Sequence, residues 1–218
     1  MSRKWIVLCS CAVTAVLILY LGYEAASVNG IDTAAEYFET YLNHLQKMVF
    51  NGMIYALPMI YAAAIPFYSP EVLIRLQKKL LRTIALRSMA ASLFSGAFVI
   101  VLSMLTAAGF AMTLNAWNWM PFLYLKLVLF DLQCSGLFYL IYIMGRNTNV
   151  AVFLTFAVNL AFSSAVLWMD FFNYSGMQVN TSRALLLWSL LSGAAAWLLT
   201  ALFLGKRELS LYCSRGPD

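Results

Sequence analysis

Long apolar runs alternate with short polar stretches along nearly the whole chain. Each run is close to the length of about 20 residues that a helix needs to cross a bilayer. Six are legible, at residues 5–23, 48–67, 89–112, 120–144, 150–172 and 184–204. The pattern predicts an all-α polytopic membrane protein with about six transmembrane helices, forming one transmembrane domain over residues 1–218. The first run, followed by Ala25-Ala26-Ser27, has the outline of a signal peptide. It exceeds the roughly 7 to 15 residues of a signal core and is read as an uncleaved first span.

Orientation follows from the loops, because Lys and Arg near span ends resist translocation. With six spans and a cytoplasmic N-terminus, one side receives Arg3, Lys4, Arg75, Lys78, Lys79, Arg82, Arg87, Arg146, Lys206, Arg207 and Arg215. The other receives only Lys47 and Arg183. Both termini are therefore expected in the cytoplasm. Glu24, Asp32, Glu36 and Glu39 fall in the first outer loop, and Asp170 at another outer end. Trp117, Trp119, Trp168 and Trp188 lie where an outer aromatic belt would, and Trp5 where an inner one would. Lys126, near the outer end of its span, is expected to snorkel to the interface.

Two segments between spans carry helical signals. In 33–48, Asn29-Gly30 signals a turn, Thr33-Ala-Ala-Glu36 has capping-box spacing, and Tyr37, Tyr41, Leu42, Leu45 and Met48 recur at helical intervals. This predicts either an amphipathic helix on the outer surface or a connector running into the second span. In 69–87, Ser69-Pro70-Glu71 supplies an N-cap, a proline at the first helical position and a first-turn acid. Leu73, Leu76, Leu80 and Ile84 then form one face, and Arg75, Lys78, Lys79 and Arg82 another. That is a basic amphipathic helix on the cytoplasmic side, suited to anionic headgroups or to a protein groove.

Composition adds exclusions. Only 11% of residues are charged and 63% are hydrophobic, against about 25% and 45 to 50% in soluble domains. The net charge of +5 sits in the short stretches between runs, so it reads as topology and not as a nucleic-acid surface. Cys9, Cys11, Cys134 and Cys213 have no paired spacing and read as packing residues in a reduced setting. His44 is the single histidine, which removes His-based triads and HExxH zinc sites, and no metal site is expected. Gly205-Lys206 continues as Arg207-Glu208, without a phosphate-binding loop, so the chain is not expected to hydrolyse ATP by itself or to act as an enzyme.

Asp131 is the one acid deep in a span, where a charge costs at least about 2.5 to 3.5 kcal/mol. Lys126, five residues away, stands about 140° around the helix and is a poor intrahelical partner. The Asp131 carboxyl is read either as a cavity-lining or proton-coupled group on a substrate pathway, with Asn159 as a weaker pathway candidate, or as a hydrogen-bonded structural acid. Asn115, Asn118 and Ser163-Ser164 read as ordinary interhelical polar residues. Ser189, Ser192, Gly193 and Ala194 to Ala196 offer small side chains for close helix approach.

The stretch Tyr68-Ser-Pro-Glu-Val-Leu-Ile-Arg-Leu-Gln-Lys-Lys-Leu-Leu-Arg82, together with the six-span plan, resembles the permease subunit of an ABC-2 type exporter, in the compact group linked to peptide, bacteriocin-immunity or drug export. The resemblance implies that 69–87 contains a coupling helix, with Glu71, Arg75, Lys78, Lys79 and Arg82 facing a separate ATPase subunit. It implies a homodimer, or a pseudo-dimer with a second permease, in a bacterial cytoplasmic membrane. ATP and Mg would be bound by the partner, with no cofactor in this chain and no nucleic-acid partner. The polar stretch 173–183 would correspond to short outer segments near the exit. The absence of a long outer domain argues against members that engage periplasmic partners through one. Two other readings remain open: a six-span substrate-binding subunit of an uptake system, and a non-transport membrane immunity protein.

Overall fold

The computed structural model describes residues 3–42, 80–115, 120–145, 147–172 and 181–213. The run at 48–67, the residues Glu71, Arg75, Lys78 and Lys79, and His44 lie outside the described residues. The chain is all-helical. Helix α1 (Arg3–Tyr23) runs into a wide π-helical turn, Glu24–Val28, and a short α2 (Ala34–Tyr37) runs into a second, Phe38–Leu42. Then come α3 (Leu80–Gly109), α4 (Met120–Gly145), α5 (Thr148–Phe172) and α6 (Thr181–Cys213). Five of these, α1 and α3 to α6, are long and apolar enough to cross a membrane.

The surface is the inverse of a soluble protein's. Leu8, Val16, Leu105, Phe153, Leu191 and Leu198 are among many large apolar side chains left exposed. Ser88, Ser92, Ser95, Lys126, Asp131, Gln133, Asn159 and Thr200 are buried. Water would penalise that outward face by roughly 25 cal/mol per Å² of apolar area, whereas lipid tails carry no such cost. Backbone polar groups of the long helices are matched within each helix, which hydrocarbon requires.

Helix α4 is the axis of the bundle: 61% of its apolar window is buried, against 28 to 39% in the other long helices. It packs against α6 most extensively, then against α3 and α5, while α1 lies on α3. Close approach to α6 is set by two glycines. A Cβ on Gly136 would come within 2.9 Å of the Trp197 ring, and one on Gly193 within 3.3 Å of the Gln133 Cα. Of the small side chains read from the sixth apolar run, Gly193 and Ala196 are thus where α6 meets α4, while Ala194 and Ala195 are exposed. The constant offset of those pairs makes α4 and α6 parallel. The last turns of α1 and α3 meet, with Gly22 against Thr106 and Tyr23 beside Phe110.

At one end of the bundle the connections are pinned together. Thr33 and Thr113 form a bridge, with Ala34 N–H donating to the Thr113 carbonyl at 2.9 Å and Thr113 N–H to that of Asp32 at 2.7 Å. The Thr33 hydroxyl accepts from Glu36 N–H at 3.3 Å, realising half of the capping box, and Asn115 Oδ1 accepts from Ala35 N–H at 3.1 Å. Gly30 adopts φ +64°, the left-handed turn that Asn29-Gly30 signals. The segment does not rest on an outer surface with its aromatic face toward lipid. Tyr37, Phe38, Tyr41 and Leu42 are buried within the protein, and the Tyr37 hydroxyl donates to the Ile18 carbonyl at 3.4 Å.

Helix α3 ends at Gly109, short of the 112 expected. Met112 N–H reaches back to the Ala107 carbonyl at 2.9 Å, with Ala111 at φ +56°, a Schellman stop with alanine in the place that glycine favours. Its beginning differs more. Leu80 to Arg87, read from sequence as the tail of a separate amphipathic helix, are the first two turns of α3 itself. No proline or glycine lies between Leu80 and Met89, so the backbone has no reason to break there.

Charge divides unevenly between the two ends, with Glu208 and Arg183 of α6 as exceptions. Arg3, Lys4, Arg82, Arg87, Lys206 and Arg207 occupy the end where α1 and α3 begin and α6 finishes. Glu24, Asp32, Glu36 and Glu39 occupy the pinned end. The first is the basic end of the bundle and the second its acidic end.

Candidate functional site

The buried polar side chains of α4 fall on two faces. Asp131 and Gln133 are two residues apart, about 200° around a helix, so one points to α3 when the other points to α5 and α6.

On the α5 and α6 face, Asn159 of α5 is the centre of a closed network. Gln133 Nε2 donates to its Oδ1 at 3.0 Å, and Trp188 Nε1 of α6 donates to the same oxygen at 3.1 Å. The Asn159 amide donates to the Thr155 carbonyl at 3.0 Å. Both lone-pair directions of the oxygen are used, and the side chain is fully buried at 0% exposure. Phe162 stacks on Trp188 with ring centres 4.4 Å apart and planes 6° from parallel. Trp188 is therefore tied into the interior and is not a free member of an interfacial belt, because its N–H finds a buried acceptor in Asn159. Farther along, Trp197 Nε1 donates to the Leu132 carbonyl at 3.0 Å, so α6 also bonds directly to the α4 backbone.

On the α3 face, the Ser95 hydroxyl lies within hydrogen-bonding reach of the Asp131 carboxyl. Asp131 is 4% exposed. One turn on, Ser135 is 1% exposed and its hydroxyl has no hydrogen-bond partner. A further turn brings Tyr139, which neighbours Ser88 and feels the charge of Arg87. Helix α3 presents Ser88, Ser92 and Ser95, all buried, to this face. Toward the acidic end the same seam becomes apolar: Gly96 admits Val128 and the Tyr124 ring, and Val99, Leu123 and Leu127 are buried.

Lys126 does not snorkel. It is 2% exposed, with Nζ 5.6 Å from the centre of the Phe122 ring. The cause is position: residues 126, 127, 130 and 131 all face protein, so the stem has no route to the interface, and the ring one turn earlier offers its π face to the ammonium. Of the residues read as an ATPase-coupling set, Arg82 is described, exposed in the first turn of α3 at the basic end.

The structure brings Asp131 and Asn159 onto neighbouring helices but into separate networks. Gln133, the Ser88-Ser92-Ser95 row and Trp188 are polar participants that the sequence reading did not single out. The α3 row was findable, since serine at 88, 92 and 95 keeps one face of a helix in an otherwise apolar run. Gln133 inside an apolar run was a second such signal. Among the described residues, no group of three or more His, Cys, Asp or Glu side chains is placed to hold a metal.

No protein-family model, curated protein or solved structure matches the chain.

Proposed function

We propose that the chain is the permease subunit of an ABC-2 type exporter, moving an amphipathic or hydrophobic compound such as a peptide or lipid-like molecule out of a bacterial cell. The observation that carries the reading is the stem of α3. At 30 residues and about 1.5 Å per residue, the helix is about 45 Å long, some 15 Å more than the hydrocarbon of a bilayer. The excess includes the basic end, where Arg82 and Arg87 are exposed and the cationic segment 69–79 leads in.

A basic helix that continues without a break into a membrane span is a lever. Displacement of its outer part is carried to α4, which packs along α3, because a hydrogen-bonded helix moves as a rigid body. A soluble motor docked on Glu71, Arg75, Lys78, Lys79 and Arg82 would thus act on the centre of the bundle. In this reading the basic end is cytoplasmic, as the positive-inside rule favours. Two permeases work with two ATP-binding subunits, which supply the ATP and Mg sites.

The test is copurification. The tagged chain is co-expressed with the ATP-binding protein encoded beside it, as wild type and with Arg75, Lys78, Lys79 and Arg82 changed to Glu. Stoichiometric recovery that charge reversal abolishes, with membrane insertion intact, is the expected result. Recovery of no ATP-binding protein, with charge reversal weakening only lipid binding, would replace this reading with a self-contained binding or immunity protein.

A further inference from the structure

The acidic end is fastened more thoroughly than two short connections require. On one side, Ile31 N–H donates to the Ala25 carbonyl at 2.9 Å and Asn29 N–H to that of Glu24 at 3.1 Å. The first connection is thereby held to the wide turn that extends α1. On the other side, Phe110 N–H donates to the Thr106 carbonyl at 3.0 Å and Met112 N–H to that of Ala107 at 2.9 Å, which ties Thr113 back to α3. The bridge of Thr33 and Thr113 joins the two halves. Helix α2 closes the clasp from inside. The buried Tyr37 hydroxyl donates to the Ile18 carbonyl of α1 and lies within hydrogen-bonding reach of Ser103 on α3. The Tyr41 ring stands beside that of Tyr37, centres 5.8 Å apart, and its hydroxyl accepts from the Asn29 side chain. Next to them the two long helices touch where Gly22 meets Thr106, too closely for a Cβ on residue 22.

The basic halves of the same helices are built differently. On α1, Trp5, Leu8 and Cys9 are exposed, and on α3 Arg82, Leu86, Arg87 and Met89 are. The polar side chains of α3 in this half turn to α4, Ser88 toward Tyr139 and Ser95 toward Asp131. All the ties between α1 and α3 set out above thus lie at one end. Two rigid helices fastened at one end can change their angle only by parting or closing at the other.

We propose that the clasp is a fixed joint between α1 and α3, so that any change of angle between them is taken up at the basic end while the acidic end stays shut. Over the 21 residues of α1, about 32 Å, each degree of swing parts the far ends by about 0.6 Å. A point about 10 Å from the joint moves by about 0.2 Å. The inference concerns this chain alone and does not depend on an ATPase partner.

Distances between paired spin labels on the purified full chain in proteoliposomes test it, with Cys9, Cys11, Cys134 and Cys213 replaced by Ala. One pair, Val28→Cys with Leu114→Cys, flanks the clasp, and the other, Trp5→Cys with Met89→Cys, lies in the basic halves; all these positions are exposed. The spread of distances that motion adds should be about threefold larger at the basic pair. Ala34→Pro then opens the clasp, because the bond to the Thr113 carbonyl loses its donor. The helix itself tolerates proline at its first position, and the preceding Thr33 is already extended at φ −120° and ψ 137°. This variant should widen the acidic pair to the spread of the basic one. Asn115→Ala, which removes only the acceptor of Ala35 N–H, should widen it by less. Equal spread at the two pairs with the clasp intact, or an acidic pair that neither variant widens, would overturn the proposal. Should Ala34→Pro lose helix content, Asn115→Ala decides, since it leaves the backbone untouched.

Discussion

The two polar faces of α4 are built from similar residues and finished differently. Toward α5 and α6, Gln133, Asn159 and Trp188 consume each other's hydrogen-bonding capacity. Toward α3, Asp131 has the Ser95 hydroxyl within reach, while the Ser135 hydroxyl has no hydrogen-bond partner. A closed network fixes a packing geometry, because any displacement strands a buried donor or acceptor. The Asn159 network ties α4 to α5 and α6 in one geometry, and Ser135 on the α3 face of α4 belongs to no network of that kind.

Substitutions can break that contrast. The largest effect is expected at Gly136→Val, where the added side chain must displace the Trp197 ring and with it the bond to the Leu132 carbonyl. Overpacking of this kind costs about 1 to 3 kcal/mol, read as a lowered Tm in detergent. Gly193→Ala, whose Cβ would stand 3.2 Å from the Gln133 Cβ and 3.3 Å from its Cα, a tight contact that a shift of a few tenths of an ångström relieves, should cost less. Next is Asn159→Leu, which strands the Gln133 amide and the Trp188 N–H and should cost about 1 to 2 kcal/mol. A Tm equal to wild type would show that the closed face is not a clamp.

Ala111→Gly touches neither face and calibrates the series. Relieving a left-handed alanine at the Schellman stop should stabilise the protein by about 1 kcal/mol. Ser135→Ala should be neutral or slightly stabilising, since it removes a buried hydroxyl that bonds to nothing. If it instead destabilised as much as Asn159→Leu, the two faces of α4 would be equivalent and the contrast would be lost.

At neutral pH a small effect is expected at Tyr37→Phe, which gives up the long bond to the Ile18 carbonyl and the one with Ser103. Its consequence grows in alkali. Burial pushes the Tyr37 phenol up from its ordinary range, against a hydrogen bond with Ser103 that opposes the shift. The folded state therefore holds that proton more tightly than the unfolded chain. The stability it contributes is complete below the unfolded value of about 10 and is lost as pH rises through the higher folded value. Tyr37→Phe should flatten the alkaline loss of Tm. An unchanged alkaline slope would place the effect on other groups.

Much of the architecture was legible because hydrocarbon leaves the sequence few choices: an apolar run near the span length must become a helix. Boundaries were less legible. Charges at 82 and 87 look like the edge of a membrane, but a helix is broken by backbone conflict and not by charge, so α3 begins before them. Lys126 was misplaced for a related reason, and the inward bond of Trp188 was missed. Snorkelling and belt rules assume a lipid-facing position, and which face of a span meets protein is decided by its partners. The Gln133, Asn159 and Trp188 triad joins residues 26 and 29 apart in sequence, a pairing that helix packing creates and periodicity cannot announce. The π-helical turns of the acidic end have no sequence signature at all.

Sidedness is the most direct test, because the docking of an ATPase assumes that the basic end faces the cytoplasm. With Cys9, Cys11, Cys134 and Cys213 replaced by Ala, single cysteines are placed at exposed Arg82 and exposed Glu36 and treated with a membrane-impermeant thiol reagent. The account predicts that Glu36→Cys is labelled in intact cells and Arg82→Cys only in inside-out vesicles. Labelling of Arg82→Cys in intact cells, or of both positions from one side, would contradict it.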